Sequence, residues 1–177
     1  MSKNQRRVLI LAAIVVLLVG GRALRDQLGL ELSPAGVEAW VAGLGWYGPA
    51  LFVALLALRT FVVLPSVIIL SAGGLVFGTL VGTLLGWLGV FLSAALQFGL
   101  ARGIFRGSRG SLGGKWSGGP SIANAGAIGV AVVTAHPLGP MSAVHFGAGI
   151  SSMPALTFFT AVALAAPIRS FGFSYGN

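Results

Sequence analysis

The chain contains no cysteine, so neither a disulfide framework nor a thiolate metal site is open to it. Acids are nearly absent as well: Asp26, Glu31 and Glu38 are the only three, and none lies between Val41 and Asn177. With only two histidines beside them, the ligands are too few for a protein-built metal centre, and the paired carboxylates of general acid and base chemistry are missing. The chain therefore reads as a non-enzyme with no metal and no cofactor. Charge of either sign is scarce, at 8% of residues where an average soluble domain carries about 25%. A water-soluble surface cannot be built from so little.

What the chain has in abundance is apolar. Hydrophobic residues make up 56%, and most of the 28 glycines sit inside Leu, Val, Ala and Phe runs, as they do in membrane helices that pack closely. The net charge of +8 comes from basic residues that flank apolar stretches. No polar element carries a basic and aromatic face, so the excess reads as the positive-inside signature of a membrane protein, and no nucleic-acid partner is expected. The fold class is all-α and integral to a membrane.

Lys3, Arg6 and Arg7 precede an apolar run from Val8 to Val19 that Gly20 and Gly21 close. The run falls short of the roughly 20 residues that cross a bilayer. Residues 1–21 are read as an uncleaved transmembrane helix or signal anchor, with a cleaved signal peptide as the alternative. Residues 22–48 hold all three acids together with Trp40, Trp46 and Tyr47. Ser33 and Pro34 predict an N-cap and first helical position, opening a short interfacial amphipathic helix to about Leu44.

Residues 49–177 form the membrane domain. From Pro49 to Leu100 the chain is almost continuously apolar, too long for one span, and interrupted by Arg59, Pro65 and the Gly73-Gly74 pair. Lipid cannot satisfy the backbone groups that a break frees, so such a break is buried in protein or lines a wet cavity. The reading for 49–101 is a half-helix in to about Leu58, a turn over 59–65, a return to Ser71, and a full span from about Leu75. That span carries Gly74, Gly78, Gly82 and Gly86 at four-residue intervals, then Gly89 and Ser93. The bare face suits close packing within the molecule, with a homo-oligomer through it as the alternative. Residues 102–121, with Arg102, Arg106, Arg109 and Lys115 and no acid, read as a basic cytoplasmic loop. In 122–177 the pattern returns: Ile122 to Ala135 runs in, His136 to Pro140 breaks, Met141 to Ile150 runs back, and Pro154 to Phe173 spans, interrupted by Pro167.

With the N-terminus and the basic loop both cytoplasmic, each half is a re-entrant hairpin followed by one span of opposite direction, which is an inverted repeat. Pro65 and Pro140 are each followed nine positions later by a glycine, Gly74 and Gly149. Pro65, Gly73, Gly74, Pro137, Pro140 and Gly149 are the expected hairpin breaks. Inverted repeats with broken helices are how many secondary transporters build a midplane site.

The stretch Leu58-Arg59 to Leu64-Pro65, then Ala72-Gly73-Gly74-Leu75-Val76-Phe77-Gly78, and later His136-Pro137, Pro140, Ala148-Gly149, Pro167 and Gly176 resembles the DedA superfamily, the SNARE-associated Golgi or VTT-domain membrane proteins, over about residues 35–177. The resemblance implies two re-entrant hairpins that face one another and a role in moving lipids or lipid-linked phosphates between leaflets, in some members coupled to proton gradients. Three departures stand out. His136 and His145 occupy positions where the family usually has an arginine and an asparagine. No carboxylate lies near the first break, which argues against carboxylate-coupled proton flow. A further helix commonly follows where this sequence stops, so a fragment of a longer chain is one reading.

The expected function is a lipid scramblase or flippase-like transporter of a plasma (inner) bacterial membrane, with membrane lipids as partners. The alternatives are an ion-coupled or small-solute transporter, and a noncatalytic membrane factor acting through a partner protein. The candidate substrate-binding residues are Arg59, His136, His145 and Arg169. The guanidinium of Arg59 cannot discharge at depth and calls for a carbonyl, water or an anion. Either histidine can donate to a phosphate, and Arg169 lies inside the last span. Arg59 and His136, one at each turn, are expected to meet.

Overall fold

A computed structural model describes residues 19–23, 26–27, 29, 33–61, 64–104, 120–136 and 139–175, and every regular element among them is helical. Residues 1–18 of the first helix expected over 1–21, and most of the basic loop, lie outside the described residues. The elements are α1 (Pro34–Gly43), a 3-10 turn (Gly45–Tyr47), α2 (Gly48–Leu58), α3 (Ser66–Ile104), α4 (Pro120–Ala135), α5 (Met141–Ile150) and α6 (Ala155–Tyr175).

Helix α1 starts where its cap demands. Ser33 Oγ accepts from the Gly36 N–H at 2.9 Å, and Pro34 stands at the first helical position, where its missing donor costs nothing. Val37 and Val41 are the buried side of α1, which packs on α3 and α2. The following Gly45 has φ +55, a left-handed value that favours glycine, and turns the chain so that Trp46 is 84% exposed beside Tyr47.

Helix α3 has 39 residues. A straight helix of that length would run about 58 Å, nearly twice the roughly 30 Å of hydrocarbon in a bilayer. It does not run straight: Gly78, at φ 73 and ψ 171, is non-helical and divides it into a short arm (66–77) and a long arm (79–104). The arms fold against each other. A Cβ on Gly82 would lie 2.6 Å from the carbonyl oxygen of Gly73, and one on Gly86 would lie 2.7 Å from Leu70.

This corrects the expected break. Gly73 and Gly74 are inside the helix, where their bare Cα atoms admit the Phe52 ring and the backbone of Ser174, and the chain turns only at Gly78, whose backbone angles a side chain would resist. The return helix thus ends at 77 rather than Ser71, and the span starts at 79. Gly149 is likewise helical; a Cβ there would lie 2.6 Å from the Phe98 carbonyl oxygen. The glycine face is filled from within the chain, since Gly89 receives Leu56 and Gly86 also meets Ser170.

Pro167 does not interrupt α6, which is assigned as one helix from Ala155 to Tyr175. The long arm also continues beyond the expected boundary, so Arg102 is a helical residue rather than a loop residue. Its Nη2 donates to the Ser151 carbonyl at 3.4 Å and to that of Met153, and its guanidinium lies 4.2 Å from the Phe98 ring centroid. Buried Phe98 stacks on Phe158 at 4.3 Å between centroids and, with Phe52, Leu56, Ile69, Leu70, Val90 and Val162, forms the core.

Residues at every fourth position from Leu80 to Leu100 are leucines, and all are exposed, while glycine, serine and alanine face inward. Bulk outside and small residues inside suit a lipid solvent, where close backbone approach is the source of packing energy. Among the described residues, α3 and α6 are long and apolar enough to cross a membrane.

Candidate functional site

The long arm serves as a depth scale. Helix α6 runs antiparallel to it: Thr79 Oγ1 donates to the Ser174 carbonyl at 3.4 Å, Gly86 meets Ser170, and Arg102 reaches Met153. The short arm is antiparallel too, with Gly82 against Gly73 and Gly86 against Leu70. Extending both registers puts Arg169 and Ser66 level with residues about 86 to 90 of the long arm at 3.6 residues per turn, close to its middle.

At that level an open cavity of about 390 Å³ lies between the two interruptions of the chain, lined by Arg59, Pro65 and Ser66 from one and by Gly139, Pro140 and Ser142 from the other, with Arg169 joining from α6. The first interruption is built by local bonds: the Phe61 N–H donates to the Leu58 carbonyl at 2.8 Å and the Leu64 N–H to that of Arg59 at 2.9 Å. Pro65 then precedes Ser66 as the helix restarts. In the second, the Gly139 N–H donates to the His136 carbonyl at 3.3 Å, and a Cβ at Gly139 would lie 2.6 Å from the Val133 carbonyl oxygen, so glycine permits the bend. Pro140 is the N-cap of α5, and Pro137 lies outside the described residues.

Two guanidinium groups therefore share one cavity. Arg59 is 6% exposed and Arg169 4%. Arg169 is held: Nη2 donates to Ser66 Oγ at 2.8 Å, and Nη1 donates to the His136 carbonyl. Arg59 is not, since its buried Nε and Nη2 have no hydrogen-bond partner. Leaving charged donors unbonded away from water is costly, and among the described residues no Asp or Glu lines the cavity to relieve them. The arrangement gathers two buried cationic groups at one open cavity.

Of the four residues expected at the site, Arg59 and Arg169 line the cavity and the histidines do not. His136 has an exposed side chain and contributes its backbone carbonyl to Arg169, so what shares the cavity with Arg59 is Arg169 rather than an imidazole. His145 is fully buried in the helix packing, with Nε2 3.0 Å from Thr134 Oγ1 and its ring edge-on to Phe158 at 5.4 Å. It joins α5 to α4, and its buried Nδ1 has no hydrogen-bond partner. The sequence reading missed Ser66, Ser142, Thr60 and Gln97. The last had a signal: it is the one amide in the apolar stretch from Pro49 to Leu100 and continues the Gly82, Gly86, Gly89, Ser93 face, and a polar residue inside a span faces inward.

Two helices long and apolar enough to span, one of them with a row of exposed leucines, fit a membrane protein. The chain belongs to the family of the VTT domain, the SNARE-associated or DedA family domain, whose profile matches residues 64–176. The match is narrower than the 35–177 resemblance and leaves α1, α2 and Arg59 outside it. No curated protein and no solved structure matches the chain.

Proposed function

We propose that this protein moves phospholipid or a lipid-linked phosphate between membrane leaflets, with the headgroup passing through the cavity between the interruptions. The observation that carries the reading is the buried, unpartnered guanidinium of Arg59 beside that of Arg169 at the middle of the long arm. An uncompensated charge at the centre of a membrane helix costs about 2.5 to 3.5 kcal/mol on insertion scales. A phosphate offers both arginines acceptors that suit their forked donors. No bond in the substrate is made or broken, so the protein is not an enzyme.

On this reading, α2 with the short arm is a re-entrant hairpin from one side, α4 with α5 is its counterpart from the other, and the halves form an inverted repeat about the cavity. The antiparallel packing of the short arm and α6 on the long arm supports it. The N-terminus and the basic loop are cytoplasmic, in a bacterial plasma membrane, because Lys3, Arg6 and Arg7 and then Arg106, Arg109 and Lys115 outweigh the Arg22 and Arg25 of residues 22–48. A cysteine at position 108 that reacts with an impermeant maleimide from outside intact cells would reverse this orientation.

The test is leaflet exchange of labelled phosphatidic acid in phosphatidylcholine proteoliposomes, read by dithionite quenching. Exchange above protein-free vesicles is expected, with loss in Arg59→Ala. Absence of exchange in the wild type sinks the lipid reading. Uptake of a small solute that depends on an imposed pH gradient would favour the ion-coupled alternative.

A further inference from the structure

We propose that Gln97 is a positioning residue for the anion site, holding the first interruption on the long arm and linking it to the second. The inference rests on the lipid-phosphate reading for its functional consequence, though not for its geometry.

Gln97 is 1% exposed. Its Nε2 donates to Thr60 Oγ1 at 2.7 Å and to Ser93 Oγ at 3.0 Å, and Thr60 Oγ1 lies 3.4 Å from Ser142 Oγ. The three parts of the site are thereby tied together. Gln97 belongs to the long arm, which α2, the short arm, α5 and α6 all pack against. Thr60 is the chain neighbour of Arg59, and Ser142 lines the cavity from α5.

Arg59 itself has no bond through Nε or Nη2 to fix it. The turn that presents it is secured by two backbone bonds, from Phe61 and Leu64, and by the Thr60 hydroxyl. Of these three bonds, the one from the Thr60 hydroxyl is the one that reaches outside the turn. A group that must meet an anion with its fork aligned needs such a support, because pre-organised geometry is what makes a site effective. Ser93 is a different matter: it lies one turn before Gln97 on the same helix, so its bond orients the amide but joins no separate element.

Gln97→Leu roughly keeps the volume and removes the bonds to Thr60 and Ser93, and Thr60→Val roughly keeps the volume and removes the bonds to Gln97 and Ser142. Each is expected to slow leaflet exchange of phosphatidic acid about tenfold, between the worth of one hydrogen bond and the roughly hundredfold that misplacing a group by an ångström can cost. Because the two share the Gln97–Thr60 bond, while Thr60→Val alone also loses Ser142 and Gln97→Leu alone also loses Ser93, the double variant should lose clearly less than the product of the single losses. Ser93→Ala should stay within about twofold of wild type, as expected for a hydrogen bond made within a helix rather than across elements.

A second measurement does not depend on transport. Phenylglyoxal modification of Arg59, followed by peptide mass spectrometry on the detergent-solubilised protein, should be faster in Gln97→Leu than in wild type, with Arg169 unchanged. If wild-type protein exchanges no lipid, the proposed function fails while the labelling still decides the positioning. Unchanged labelling and exchange in Gln97→Leu would overturn the role of Gln97. So would losses that simply multiply in the double variant, or equal acceleration at Arg59 and Arg169, which would mark a general loosening.

Discussion

The two interruptions of the chain look alike in sequence, each a polar or basic residue followed by proline within an apolar stretch, yet they contribute different chemistry. The first supplies a side chain: Arg59, buried, with two nitrogens left without partners. The second supplies backbone, since His136 is an exposed residue that does not line the cavity and its carbonyl accepts from Arg169. The second cation comes from α6, an element outside both interruptions. Two interruptions that look alike in sequence therefore need not supply the same functional groups. An unwound segment can serve a site through its carbonyls as readily as through its side chains, because breaking a helix frees both.

The largest effects should come from unseating either half from the long arm. Gly82→Leu drives bulk into the Gly73 carbonyl, and Gly149→Leu into that of Phe98. Neither neighbour is the end of a flexible side chain, so each should cost at the upper end of the roughly 1 to 3 kcal/mol of overpacking or beyond it, read as lost folded yield in detergent. Gly103→Leu, where a Cβ meets nothing within 4 Å, is the control. Equal yields for all three would mean that the halves are not seated as described.

Next come the two arginines, which separate function from support. Arg169→Ala removes bonds to Ser66 and the His136 carbonyl and should lower stability by about 1.5 to 3 kcal/mol, the usual worth of hydrogen bonds to a charged group, as well as abolish exchange. Arg59→Ala removes an unpartnered charge, so thermal unfolding should not fall although exchange is lost. Arg59→Lys should retain part of the activity, because charge survives while the bidentate fork does not. A destabilised Arg59→Ala protein would show that this guanidinium supports the fold after all.

Smaller still is the change at Thr134→Val, which breaks the buried bond to His145 and should cost about 1 kcal/mol. His136→Ala should be close to silent, within about twofold in exchange, a change worth less than 0.5 kcal/mol. The carbonyl that Arg169 uses remains when the side chain is removed. A large loss in His136→Ala at any pH would bring the imidazole back to the site and erase the contrast between the interruptions.

Much of this was legible in the residues alone. Scarce charge and long apolar runs require a membrane, because no other solvent accepts such a surface. Ser33-Pro34 marked the start of α1 through local capping chemistry, and Pro65 and Pro140 marked where helices resume, since proline acts on its own turn. Met141 to Ile150 was bounded as observed, by Pro140 before it and Ser151 after. Local rules reach that far and no further. They could not tell whether Gly74 or Gly78 is the turn, because a glycine tolerates both a helix and a left-handed angle, and the choice falls to whichever neighbour needs the missing side chain. Gly73, Gly74 and Gly149 are helical because Phe52, Ser174 and Phe98 come close to them. Nor could spacing pair Arg59 with Arg169 or Gln97 with Thr60, residues separated by 110 and by 37 positions. Those pairings follow from the antiparallel registers of the short arm and α6 on the long arm, and register between helices is decided by the packing of whole faces, which only the tertiary structure contains.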